Sequence, residues 1–190
     1  CHAFTLYHLP REVIPQALYP NQFLYDKTGF LARVVKVSKE RITLRHLDLD
    51  ELMSKETWGL RPRDAYQAMA LNLLLDPDVH LVNLTGAAGS GKTILALAAA
   101  IEMTVPNKIY RRIIVTRSTQ GLDEDSSSSS IEYVLAKVPL LFKSLNFIRG
   151  RSFQQSLILI DESQNLTPHQ IKTIVTRAGN GSKVICLGNL

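Results

Sequence analysis

The sequence predicts an α/β fold, a three-layer sandwich around a parallel sheet, preceded by a small antiparallel β meander. Two observations predict the sandwich. Short apolar runs alternate with helical patterns from about residue 81 onward, as repeated strand–helix–strand units do. Within that region Gly86-Ala87-Ala88-Gly89-Ser90-Gly91-Lys92-Thr93 fits G-x-x-x-x-G-K-[ST] with no mismatch, between a β-prone run and an Ala/Leu-rich one. The meander rests on a third observation: 22–26, 30–37 and 42–45 are β-prone and separated by turn-forming residues.

At 190 residues the chain suits one ordinary domain plus an appendage, divided as 1–57 and 58–190. Apolar residues at 45% and charged residues at 21% match a soluble globular protein with a real core. No apolar run reaches membrane-spanning length and no signal peptide opens the chain, so a cytoplasmic protein is expected. Cys1 and Cys186 are far apart in sequence and show no metal-ligand spacing, which argues against a disulfide or a zinc site. A net charge of +5 admits polyanionic partners without requiring them. Opening at Cys1-His2 and stopping directly after an apolar run, the chain reads as a fragment of something longer.

Residues 1–20 hold Pro10, Pro15 and Pro20 and little periodicity, and read as a linker in which Leu9-Pro10-Arg11-Glu12 starts a short helix. The meander follows, with turns at Lys27-Thr28-Gly29 and Ser38-Lys39-Glu40-Arg41. Its Lys27, Arg33, Lys36, Lys39, Arg41 and Arg45 read as solvated strand faces. A helix is expected from Asp64 to Leu74, ended by Asp76-Pro77-Asp78. Strand 81–85 enters the glycines, helix 94–101 leaves them, and 112–116 (RIIVT) is a buried parallel-type strand. The acidic and serine-rich stretch 123–130 is expected to be a flexible loop, and 131–147 a helix kinked or split at Pro139. Strand 157–161 (LILID) comes next. Thr167 caps a helix with Pro168 in its first turn, running to about Ala178, and strand 183–187 closes the chain.

The glycine-rich segment carries the chemistry. Its backbone N–H groups wrap a phosphate chain, and the helix N-terminus adds partial positive charge at the same point. Lys92 then meets the β- and γ-phosphates of a nucleoside triphosphate, and the Thr93 hydroxyl ligates Mg²⁺. Four apolar residues followed by Asp161-Glu162 form a second motif, and a carboxylate at a buried strand tip needs a cation or hydrogen bonds. Beside a phosphate loop, Asp161 is the expected Mg²⁺ holder, and Glu162 is placed to orient or deprotonate a water. A small-molecule kinase needs no such glutamate, so hydrolysis is favoured over phosphoryl transfer to a metabolite.

With Asp161-Glu162-Ser163-Gln164-Asn165 in view, the chain resembles superfamily 1 helicase-like proteins. Adding GAAGSGKT, Arg61-Pro62-Arg63-Asp64-Ala65-Tyr66-Gln67, Val115-Thr116-Arg117 and Leu187-Gly188-Asn189, it resembles the PhoH family, most of all the ATPase half of PIN–PhoH fusions. The resemblance spans roughly 58–190. It implies a RecA-like P-loop NTPase core, ATP and Mg²⁺ as cofactors, self-association into a hexameric ring, single-stranded RNA as a partner, and RNA unwinding coupled to a PIN ribonuclease domain. It also implies roles by position: Gln67 against adenine, Arg117 on a nucleic-acid phosphate, Gln164 coupling the γ-phosphate to motion, and Asn189 sensing that phosphate. No PIN-type acidic cluster is visible in these residues, and the family carries a longer loop and helix where this chain has its serine run. A non-motor switch or assembly ATPase remains the alternative, and RNA against DNA stays open.

Overall fold

The computed structural model describes residues 5–117, 140–142 and 154–189, with backbone alone at Arg117 and 140–142. The chain forms two compact units, one of residues 1–56 and 61–72, the other of 57–60 and 73–190.

The first unit is built on an antiparallel sheet of β1 (Leu6–Pro10), β2 (Phe23–Tyr25), β3 (Leu31–Val37) and β4 (Arg41–Leu47), in the order β1-β4-β3-β2. Alternation along β3 and β4 makes two apolar faces. Ala32, Val34, Ile42 and Leu44 are buried with Leu18 on one, and Leu31 and Leu47 with Met69 on the other. The expected meander is therefore present, and the proline-rich start of the chain adds a strand to it. β1 pairs along β4 from Leu6↔Arg45 to Pro10↔Arg41. Its residues are mostly exposed, so no alternation marks it in the sequence, and Pro10 is tolerated because β1 is an edge strand. The short helix near Pro10 is a 3-10 turn, Arg11–Val13. Arg33 departs from the expected solvated face: it is 6% exposed, and its guanidinium donates to Asn21 Oδ1 at 2.8 Å and Asn72 Oδ1 at 3.0 Å. Helix α1 (Leu49–Ser54), unforeseen, starts at Asp48, whose carboxylate accepts the Glu51 N–H. Helix α2 (Ala65–Leu74) follows.

The second unit holds a five-stranded sheet, parallel throughout, of β5 (Leu81–Gly86), β6 (Arg112–Arg117), β7 (Leu140–Phe142), β8 (Ser156–Asp161) and β9 (Lys183–Asn189). The order is β5-β9-β8-β6-β7, so β9 lies between β5 and β8, the first and the fourth of these strands in sequence. β7 corrects the helix expected over 131–147: within that stretch Leu140–Phe142 pairs with β6, an extended segment following directly on Pro139. The serine run lies outside the described residues.

Helix α3 (Lys92–Thr104) packs along the sheet, and α4 (Pro168–Arg177) covers the face formed by Ile114, Ile158, Ile160, Val184 and Cys186. Residues of opposite parity, Ile113, Leu157, Leu159, Ile185 and Leu187, are equally buried and face away from α4. The α3 segment from Leu95 to Ile101 is buried on nearly all sides, and its alanines let the helix lie close to the strands. Lys183 opens an otherwise apolar strand at zero exposure because its Nζ donates to the carbonyls of Leu73 (2.9 Å) and Asp76 (2.8 Å) at the end of α2. α4 begins with a complete capping box: Thr167 Oγ1 accepts the Gln170 N–H, and Gln170 Oε1 accepts the Thr167 N–H. Thr167→Ala should cost about 1 kcal/mol and lower Tm by roughly 2–4 °C, read by thermal denaturation.

Candidate nucleotide-binding site

In a parallel sheet every strand ends on the same edge, and ligands of such sheets gather beyond that edge. Here the edge carries Gly86 at the end of β5, Asn189 of β9, Asp161 of β8 and Arg117 of β6. Gly86 lies opposite Asn189, and Asp161 opposite Arg117. Residues predicted from four separated stretches thus share one sheet edge.

The loop from Gly86 to Gly91 joins β5 to α3. Gly89 (φ 77°) and Gly91 (φ 86°, the N-cap of α3) take left-handed conformations that a side chain would strain. Gly86 sits in a tight space instead, since a Cβ there would lie 3.2 Å from Ser90 Oγ. Lys92 folds back over the loop, and its ammonium donates to Gly86 O (2.8 Å), Ala87 O (2.7 Å) and Ser90 Oγ (3.2 Å). That matches the three protons of an ammonium with three acceptors. Thr93 follows at the first turn of α3, half-buried.

At the end of β8, Asp161 Oδ1 accepts the Glu162 N–H at 2.9 Å. Glu162 itself sits at φ 53°, ψ 43°, a left-handed conformation that costs a non-glycine residue about 1 kcal/mol. The 3-10 turn Ser163–Asn165 holds it there: Asn165 N–H donates to Glu162 O (3.0 Å), Leu166 N–H to Ser163 O (3.1 Å), and Asn165 Nδ2 reaches Glu162 Oε2 (3.4 Å). Gln164 Oε1, from the same turn, accepts the Asn189 N–H at 3.1 Å. Two residues 25 positions apart, named from separate motifs, are therefore bonded directly.

On the α4 side of the sheet a cavity of about 200 Å³ opens beside this bond, lined in part by Thr85, Ser163, Gln164, Cys186 and Gly188. Burial pushes the Cys186 thiol up, so it stays protonated at neutral pH and is no nucleophile. Ser163 (7% exposed) and Gly188 were not among the residues predicted for the site. The one available signal was a glycine interrupting an apolar strand just before its polar tip.

Gln67 belongs to the first unit, where its N–H donates to Asp64 Oδ1 (2.8 Å) and its Oε1 accepts the Arg63 N–H (2.9 Å), closing the start of α2. The Arg117 side chain lies outside the described residues. Among the described residues no cluster of three or more His, Cys, Asp or Glu could cage a metal. The available donors, the Thr93 hydroxyl and the Asp161 carboxylate, are hard oxygens. They suit Mg²⁺, which is commonly held by one or two protein oxygens together with phosphates and water. No helix among the described residues is long and apolar enough to cross a membrane.

A parallel sheet that inserts one strand between its phosphate-loop strand and its acid-tipped strand is the RecA-like form of the P-loop NTPase fold, and that is the class of this chain. The profile of PhoH-like proteins matches residues 59–127 and 119–190. The chain is 34% identical to Protein PhoH2 of Bacillus subtilis (strain 168), over 94% of this chain and 47% of that protein. It is 33% identical to Protein PhoH2 of Thermobispora bispora, over 69% of this chain and 36% of that one. Among solved structures it aligns with the Sulfolobus solfataricus SWI2/SNF2 ATPase core domain at a TM-score of 0.46 and 14% identity, over 73% of this chain and 33% of the other. The chain belongs to the PhoH-like family of P-loop ATPases, and it spans about half the length, or less, of these relatives.

Proposed function

We propose that this chain is an ATP-hydrolysing motor module that acts on single-stranded RNA as part of a longer, cytoplasmic protein. The observation that carries the reading is the shared strand edge on which Gly86, Asn189 and Asp161-Glu162 stand, with Gln164 bonded to Asn189. On this reading the loop amides of Gly86, Ala87, Ala88, Gly89, Ser90 and Gly91 hold the phosphates. The Lys92 ammonium exchanges its loop acceptors for β- and γ-phosphate oxygens. Thr93 and Asp161 would hold Mg²⁺, which shields phosphate charge when bound. Glu162, fixed at the strand tip, orients the attacking water and takes its proton. Gln164 and Asn189 report the γ-phosphate to the rest of the sheet, Gln67 touches adenine, and Arg117 lies on the nucleic-acid side. The family resemblance supports a hexameric ring and a PIN ribonuclease domain as partners.

Single-stranded RNA should stimulate ATP turnover, and Arg117→Ala should lose most of that stimulation while keeping basal turnover. Steady-state turnover with and without RNA and DNA oligonucleotides measures this. Absence of stimulation by any nucleic acid, with nucleotide-dependent assembly retained, would replace the motor by an assembly ATPase.

A further inference from the structure

β9 is apolar and buried from Val184 to Leu187, then turns to glycine at the position facing the turn that carries the acid pair. Backbone conformation does not demand that glycine: among the described residues the left-handed glycines are Gly29, Gly59, Gly89, Gly91 and Gly181. Space does. A Cβ on Gly188 would lie 3.2 Å from Ser163 Oγ, tighter than about nine in ten real Cβ contacts, so the serine would have to give by a few tenths of an ångström. It would also lie at an ordinary 3.6 Å from Gln164 Oε1 and 3.9 Å from the Gln164 backbone nitrogen. A glycine inside a strand is commonly the mark of such a close approach.

What approaches Gly188 is one stiff piece. The turn from Glu162 to Leu166 is tied by Asn165 N–H to Glu162 O and Leu166 N–H to Ser163 O. Its first residue is a left-handed glutamate, whose N–H is held by Asp161. On the other side of the contact, Asn189 N–H donates to Gln164 Oε1. Any displacement at Ser163 is therefore passed to the neighbouring Glu162 and to the Gln164–Asn189 bond.

We propose that Gly188 and Ser163 are positioning residues for hydrolysis, whose close approach seats the 162–166 turn against the tip of β9 and so sets both Glu162 and Gln164. This rests on the reading of Glu162 as the residue that handles water. The pair acts through its small size: one residue has no side chain, and the other is a buried serine. A turn pushed outward by a few tenths of an ångström leaves the phosphate loop untouched but misplaces the group that aims the water. A 1 Å misplacement costs on the order of 10²-fold in rate, so about 10-fold is expected for the smaller shift.

The test compares Gly188→Ala with the double variant Gly188→Ala/Ser163→Ala, in which the crowded Oγ is removed. Gly188→Ala is expected to lower kcat about 10-fold, keep the Kd for a fluorescent ATP analogue within roughly 2-fold, and speed hydrogen exchange at the Asn189 amide. The double variant is expected to recover kcat to within roughly 3-fold of the parent and to restore the Asn189 exchange rate. Ser163→Val, which crowds the same gap from the other side, should give the same split between kcat and affinity. An unchanged kcat in Gly188→Ala or in Ser163→Val overturns the proposal, as does a double variant no better than Gly188→Ala alone. Glu162→Gln run in parallel separates the two levels. Full turnover there removes the assignment of Glu162 itself, whereas lost turnover there with normal Gly188→Ala overturns only the positioning role.

Discussion

Glu162→Gln should reduce ATP turnover by about 10²–10⁴-fold, the range that a positioned general base contributes, while ATP still binds. The substitution changes little except basicity. Gln keeps an oxygen to accept from Asn165 Nδ2, and the left-handed backbone at residue 162 is held by backbone bonds and by the Asp161 carboxylate. Folding should therefore survive, and thermal denaturation should show a Tm close to that of the parent. Binding should survive because the phosphate loop is on another strand, β5. The measurement is steady-state phosphate release beside equilibrium binding of a fluorescent ATP analogue. Unaltered phosphate release in a folded Glu162→Gln protein would remove the glutamate from the mechanism.

Lys92→Ala should also abolish most turnover, by roughly 10²–10³-fold, as expected when a fixed charge aimed at developing phosphate charge is deleted. Here binding should suffer too, unlike in Glu162→Gln, because the same ammonium meets the ground-state β- and γ-phosphates. Stability should change little. The Ala87 carbonyl that the ammonium now engages is exposed and that of Gly86 only part-buried, so water can satisfy them when it is gone. Lys92→Arg is not expected to rescue. Three point acceptors around a compact ammonium do not suit a planar guanidinium. Turnover above about a tenth of the parent value in Lys92→Ala would contradict the charge argument.

The phosphate loop was legible because its chemistry is contiguous: glycines, lysine and threonine must follow one another to wrap one phosphate chain. The acid pair was legible for a similar reason, a charge directly after four apolar residues. Helix α4 announced itself through Thr167 and Pro168 at its own start. What the sequence hid is either short or tertiary. α1 is six residues long, too brief for a period to show. β1 presents mostly exposed residues and ends on a proline, so it resembles a linker until β4 is seen beside it. β7 is three residues directly after Pro139, inside a stretch whose apolar spacing suits a helix equally well. The contact between Gly188 and Ser163 depends on β9 lying next to β8, a pairing that no local pattern encodes.

The place of β9 also orders the assembly of the molecule in time. Among the described residues β5 has one partner in the sheet, β9, and Leu81 waits for Val184, about a hundred residues later in the chain. As the chain leaves the ribosome, the glycine loop and its helix emerge long before the strand that anchors them. β8 and β6, by contrast, find each other as soon as residue 161 is out. Late, distant pairing of parallel strands is slow and leaves apolar edges open meanwhile. Until β9 is made, the strand that leads into the glycine loop and the strand that carries the acid pair are not joined in one sheet.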